Sequence, residues 1–130
     1  MLNIKPEFKS AEAAEGGFTV EIFSPAGGAL GLKINVLGAD SHTYKKAERT
    51  MIQRRITKKV KKVNLEEMEK EAISLLAKCT TGWSGTECLT ADGSPIPFEV
   101  EFVQALYTDC PWVKEQVEEA MGDRANFLSN

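Results

Sequence analysis

One histidine, three cysteines and a glycine-rich stretch are the residues whose types could support catalysis in this chain. Acid–base and nucleophilic chemistry draws most often on histidine, whose ordinary pKa lies near neutrality. Here that residue is His42, between Ser41 and Thr43. Ser41 and His42 have the types of a nucleophile and its base, but sequence neighbours do not face each other on a helix. Cys79, Cys88 and Cys110 are widely and irregularly spaced, and nothing in the sequence sets one beside His42 as a thiolate–imidazole pair requires. Zinc sites use closely spaced cysteine and histidine pairs, which this chain lacks, so neither a metal nor another cofactor is expected. Gly27-Gly28-Ala29-Leu30-Gly31-Leu32-Lys33 lacks the spacing and the following hydroxyl of a phosphate loop. The chain is therefore expected not to be an enzyme.

The elements that would carry any binding chemistry are legible from pattern. A chain of 130 residues with 42% apolar and 27% charged side chains suits one globular domain with its own core. Apolar runs reach only a few residues, far short of the ~20 of a membrane helix, so no membrane is expected among its partners. Met1-Leu2-Asn3-Ile4-Lys5-Pro6 carries no apolar leader run, and the odd cysteine count suits a reducing compartment. A cytoplasmic protein is expected.

Residues 1–16 show little periodicity and end in Gly16-Gly17, which predicts a loosely ordered N-terminal arm before a single α+β domain over 17–130. Phe18, Val20 and Ile22 alternate with polar residues, as do Leu30, Leu32, Ile34 and Val36, and Ser24-Pro25-Ala26-Gly27-Gly28 supplies a turn. That predicts a β-hairpin over 18–37, whose apolar face the following helices must cover. Helices are predicted over about 41–63, 65–78, 99–108 and 111–121. The first carries Tyr44, Ala47, Met51, Ile52, Ile56, Val60 and Val63 as one stripe, and the second Leu65, Met68, Ala72, Leu75, Leu76 and Cys79. Asn64 with Glu67 resembles a capping box, Val103, Leu106 and Tyr107 point inward from the third helix, and Pro111 suits a first helical turn. Short extended pieces are expected around Trp83, at 83–85 and 87–90. The fold class is thus α+β, an N-terminal hairpin followed by a mainly helical body.

Charge is unevenly distributed. Residues 45–63 hold nine basic side chains against Glu48 alone, net +8, whereas residues 64–130 hold four basic and thirteen acidic, net −9. Like charges so dense on one helix repel one another. Three counter-charges are open: nucleic-acid phosphates, an acidic protein partner that includes a second copy of this chain, or simply water. Arg54, Arg55, Lys58 and Lys59 are the basic partner-binding candidates. No aromatic or Asn/Gln pattern interleaves with them for base readout. Trp83 and Trp112 suit a core; alternatively Trp112, or the terminal Phe127-Leu128 after Gly122-Asp123-Arg124, offers an exposed apolar patch to a partner.

Gly31-Leu32-Lys33-Ile34-Asn35-Val36-Leu37-Gly38-Ala39-Asp40-Ser41, followed by Tyr44-Lys45-Lys46-Ala47, resembles a pattern in small tailed-phage proteins. So do Asp92-Gly93-Ser94-Pro95-Ile96-Pro97-Phe98, Ala105-Leu106-Tyr107, Pro111-Trp112-Val113, Gln116-Val117 and Asp123-Arg124-Ala125-Asn126-Phe127-Leu128. Together, over roughly residues 29–130, they resemble the tail assembly chaperone-type proteins of long-tailed phages and prophages. The resemblance implies a non-enzymatic role in the host cytoplasm. Such proteins are thought to hold the long, helical, apolar tape measure protein soluble while tail tube subunits are recruited, and to be absent from the mature virion. It brings no catalytic motif. Two other readings stay open: a structural protein of the tail or head–tail junction, and a nucleic-acid-binding protein using the basic helix 45–62.

Overall fold

The computed structural model describes residues 2–57 and 64–128. The alternating segment forms two antiparallel strands, β1 (Phe18–Phe23) and β2 (Ala29–Val36), paired from Phe18 opposite Val36 to Ile22 opposite Leu32. The turn closes with Ser24 and Gly28 bonded through their backbones (2.7 Å), and Gly27 takes a positive φ of 100°. Val20, Ile22, Leu32, Ile34 and Val36 are buried on one face, while Thr19, Glu21, Lys33 and Asn35 face solvent on the other. The hairpin expected from the alternation is therefore present, and its apolar face is covered by helices.

Among the described residues, five α-helices accompany the sheet: α1 (Ser10–Glu15), α2 (His42–Thr57), α3 (Leu65–Cys79), α4 (Val100–Asp109) and α5 (Pro111–Gly122). Their starts follow local chemistry. Ser41 Oγ accepts from the Tyr44 amide (3.1 Å) at the head of α2, and Asn64 Oδ1 accepts from the Glu67 amide (2.8 Å) at the head of α3. Pro111 occupies the first turn of α5, where its missing N–H costs nothing. The expected end of the first long helix, residues 58–63, lies outside the described residues.

The structure departs from the expectation after α3 and in the arm. The extended piece expected at 83–85 starts earlier, at Thr80, directly after α3, and is a third strand, β3 (Thr80–Ser84), which pairs antiparallel with β2 and makes β2 the central strand. Thr80 Oγ1 hydrogen-bonds both the Leu76 carbonyl (2.8 Å) and the Tyr107 hydroxyl (2.7 Å), which carries the chain from α3 straight into the sheet. Beyond Gly85 the chain turns as a 3₁₀ segment, Thr86–Leu89, where an extended piece was expected. The second difference is the arm. Residues 2–9 are exposed, but α1 docks through buried Ala14, whose carbonyl accepts from the Gly38 amide (3.0 Å), so the arm is loose only in its first part.

A single core cluster joins the inner sheet face to Leu76, Ala77 and Cys79 of α3, Val103, Leu106 and Tyr107 of α4, and Val113, Val117 and Met121 of α5. The exposed end of β1 is closed by a side chain: the Phe23 amide donates to Gln116 Oε1 (2.9 Å) and Gln116 Nε2 donates to the Phe23 carbonyl (2.8 Å). A side-chain amide thus completes the backbone pairing that a strand end would otherwise leave open.

Candidate protein-binding surface

α2 and α3 pack as an antiparallel pair: Tyr44 at the head of α2 shares a groove with Leu75 and Leu76 near the end of α3, while Arg55 near the end of α2 pairs with Glu71. The sixteen residues of α2 reach about 24 Å. Near its far end the pair stands clear of the body: Ile52, Gln53, Arg54, Ile56 and Thr57 of α2 and every residue from Asn64 to Lys70 are exposed. Four large apolar side chains lie there in water, Ile52 (47% exposed), Ile56 (64%), Leu65 (80%) and Met68 (48%).

On α3 these belong to a continuous face. At about 100° per residue, Leu65, Met68, Ala72, Leu75 and Leu76 fall within one arc. Near the body that face becomes the wall of an open groove of about 190 Å³. The groove is lined by Tyr44, Ala72, Leu75, Leu76, Glu118 and Met121. Burial and the neighbouring Glu48 push the Tyr44 hydroxyl above its ordinary pKa. On α2 the expected single stripe divides. Tyr44, Ala47 and Met51 turn inward, whereas Ile52, one residue and about 100° beyond Met51, begins an outward ridge with Ile56. Val60 and Val63 lie outside the described residues.

The sequence-derived binding residues separate into different roles. Arg54 is exposed at the edge of the α2–α3 cleft. Arg55 turns inward to an ion pair with Glu71, which braces the two helices; their hydrogen bond raises the arginine pKa and lowers the glutamate's. Lys58 and Lys59 lie outside the described residues. Trp112 is half-buried and packs against the core cluster.

The C-terminal patch is corrected by the structure. Phe127 folds back onto the core and meets Phe18 edge-on, with ring centroids 5.8 Å apart. Leu128 is half-buried beside it, lining a cleft of about 90 Å³ with Ala14, Gly38 and Met121. Arg124 Nε donates to Asp40 Oδ2 (2.5 Å) and fastens the segment, which holds the Asp40 carboxyl below its usual pKa. The space for the Phe127 ring exists because residue 38 is glycine, where a Cβ would sit 3.1 Å from it and 2.8 Å from Ala14.

Of the residues considered for catalysis, Ser41 and Cys79 have structural duties. Ser41 is buried with its hydroxyl capping α2, and His42 is exposed at the helix start. Burial pushes the Cys79 thiol up to about 11, so it remains protonated and acts as a small core side chain. Among the described residues, no group of three or more His, Cys, Asp and Glu could hold a metal ion. None of the described helices is long and apolar enough to cross a membrane. No family model, curated protein or solved structure matches the chain.

Proposed function

We propose that this protein is a non-catalytic tail assembly chaperone of a long-tailed phage, acting in the host cytoplasm on the tape measure protein and tail tube subunits. The reading rests on the sequence resemblance over residues 29–130 and on one structural observation. The apolar face of α3 is exposed at its tip, at Leu65 and Met68, and runs through half-buried Ala72 and Leu75 to a groove beside Tyr44 and Met121, where Leu76 joins the core. A folded monomer rarely leaves adjoining large apolar side chains in water unless a partner covers them. A helix laid along such a face is a recurrent mode of peptide recognition, with apolar anchors at helical spacing. Glu118 sets a carboxylate beside the apolar wall of the groove.

Co-purification from infected cells tests the proposal. Recovery of the tape measure protein supports it, and recovery of nucleic acid alone rejects it in favour of the basic helix as a phosphate-binding face. Mass spectrometry of purified particles separates the remaining reading. A transient assembly factor is absent from them, whereas a structural component of the tail or head–tail junction is present in stoichiometric amount.

A further inference from the structure

The α2–α3 pair leaves two apolar surfaces in water, one on each helix, with flanking charge of opposite sign. On α2, Lys45, Arg49, Ile52 and Ile56 are all exposed and fall within one arc of about 60°. That helix carries five basic side chains against Glu48 alone. On α3, exposed Leu65 and Met68 lie with half-buried Ala72 in a second arc of about 60°, and exposed Glu69 stands about 40° beyond Leu65. This helix carries four carboxylates against Lys70 and Lys78.

The two arcs also match in spacing. Read back from Ile56, the ridge places Ile52, Arg49 and Lys45 at gaps of four, three and four residues. Read forward from Leu65, the face places Met68, Ala72 and Leu76 at gaps of three, four and four. Gaps of three and four are the spacing at which two helices interlock their side chains. An α2 laid antiparallel on α3 therefore sets Ile56 and Ile52 over Leu65 and Met68, and Arg49 beside Glu69. Lys45 then reaches the groove beside Glu118, whose carboxylate already meets Lys114 at 3.1 Å. The parallel orientation would instead set Lys45 over Leu65. Ile52 and Ile56 turn away from the α3 of their own molecule, so the ridge is free only for another one.

We infer that, when no client is bound, the α3 face is covered by a second copy of this chain, whose cationic Ile52–Ile56 ridge lies antiparallel along it. The inference rests on the proposed reading of α3 as a binding face, and it names what a client must displace. Each surface joins aliphatic contact to charge of the sign the other requires, which gives orientation as well as attraction. Ridge and face differ, so the contact is heterologous, and each molecule offers one of each to its neighbours. The association is weak and strengthens as ionic strength falls.

Sedimentation velocity of the full chain without client, over a range of concentrations at low and high salt, tests the inference. The wild type is expected to form dimers and larger species whose population falls as salt rises. Ile52→Gln with Ile56→Gln, and separately Leu65→Gln with Met68→Gln, each weaken association about tenfold or more. All four positions are exposed, and unchanged urea unfolding midpoints show that each variant remains folded. Mixing the two variants is decisive: the intact ridge of one meets the intact face of the other, so the mixture forms a one-to-one dimer and stops there. A wild type that stays monomeric at every concentration and salt overturns the inference. So does a mixture that remains monomeric while the wild type associates, because that behaviour belongs to a different interface. Either result is obtained without client and leaves the chaperone reading to the co-purification.

Discussion

Glu15, at the end of α1, caps α2 across a gap of 28 residues: its carboxylate accepts from the Thr43 amide (2.5 Å) and the Thr43 hydroxyl (3.1 Å). Ser41 satisfies another amide of the same turn, and the negative charge lies where the helix dipole is positive. The arm is thus part of the platform from which the α2–α3 pair projects. Removing residues 2–8 is expected to leave stability nearly unchanged, because they are exposed. Glu15→Ala is expected to cost about 1 kcal/mol, the usual loss for a helix cap. Urea unfolding midpoints of the two variants check both statements.

Gly85 and Gly93 make a controlled comparison. Both have positive φ, 79° and 76°, but a Cβ at Gly85 would sit 2.0 Å from the Gly31 carbonyl oxygen, whereas at Gly93 it would meet nothing within 4 Å. Gly93→Ala therefore costs only the left-handed strain, about 1 kcal/mol. Gly85→Ala adds a backbone collision at the β2–β3 edge and is expected to cost at least about 3 kcal/mol or to prevent folding. Thermal unfolding of the two proteins side by side gives the difference.

Stability is expected to be lost on the alkaline side through two buried acids. Burial favours the neutral form of each, raising Cys79 from 9.0 to about 11 and Tyr107 from 10.0 to about 12. The folded protein therefore holds these protons to higher pH than the unfolded chain. Their contribution is complete below pH 9 and declines as pH rises through about 11 and then about 12. Tyr107→Phe removes the upper part of this dependence. It also leaves Thr80 Oγ1 with the Leu76 carbonyl as its partner, at a cost of about 1 kcal/mol at neutral pH. Urea midpoints measured against pH for both proteins test the prediction.

Phe127 belongs to the fold, and truncating it should show in stability. A fully buried Phe→Ala change costs roughly 3–5 kcal/mol, and this ring is half-buried, so Phe127→Ala is expected to cost about 2 kcal/mol. Asp40→Asn weakens the Arg124 clasp on the same segment, and its effect should shrink in high salt because the arginine is exposed. An unchanged urea midpoint for Phe127→Ala contradicts the packed tail.

The hairpin, the α3 stripe, the Asn64 cap and the Pro111 start were legible because each is written within a few consecutive residues. β3 was legible only in part, as an extended piece at Trp83: Thr80-Thr81-Gly82-Trp83-Ser84 is short, has glycine at its centre, and gains its full length by pairing with β2, some fifty residues earlier. The docked α1 and Phe127 depend likewise on a tertiary coincidence, the close approach that Gly38 permits. On α2, apolar residues at gaps of one, three and four read as a single stripe, although Met51 and Ile52 stand about 100° apart and serve opposite faces. For the candidate site, the sequence singled out residues of α2, α5 and the C-terminal segment and none on the α3 face, and it could not separate Arg55, which braces α3, from Arg54, which faces water.

The central claim is that the open face of α3 keeps an apolar helical client in solution. Co-expression of a long-tailed phage's tape measure protein, the client that the proposed function names, with wild-type protein, or with Leu65→Gln and Met68→Gln together, tests it most directly through the soluble fraction of the client. Glutamine keeps helix propensity, and both positions are exposed, so the variant retains the wild-type unfolding midpoint. The account predicts a largely soluble client with the wild type and an aggregated one with the variant. Equal solubility with both, or no gain from the wild type over the client expressed alone, would contradict it.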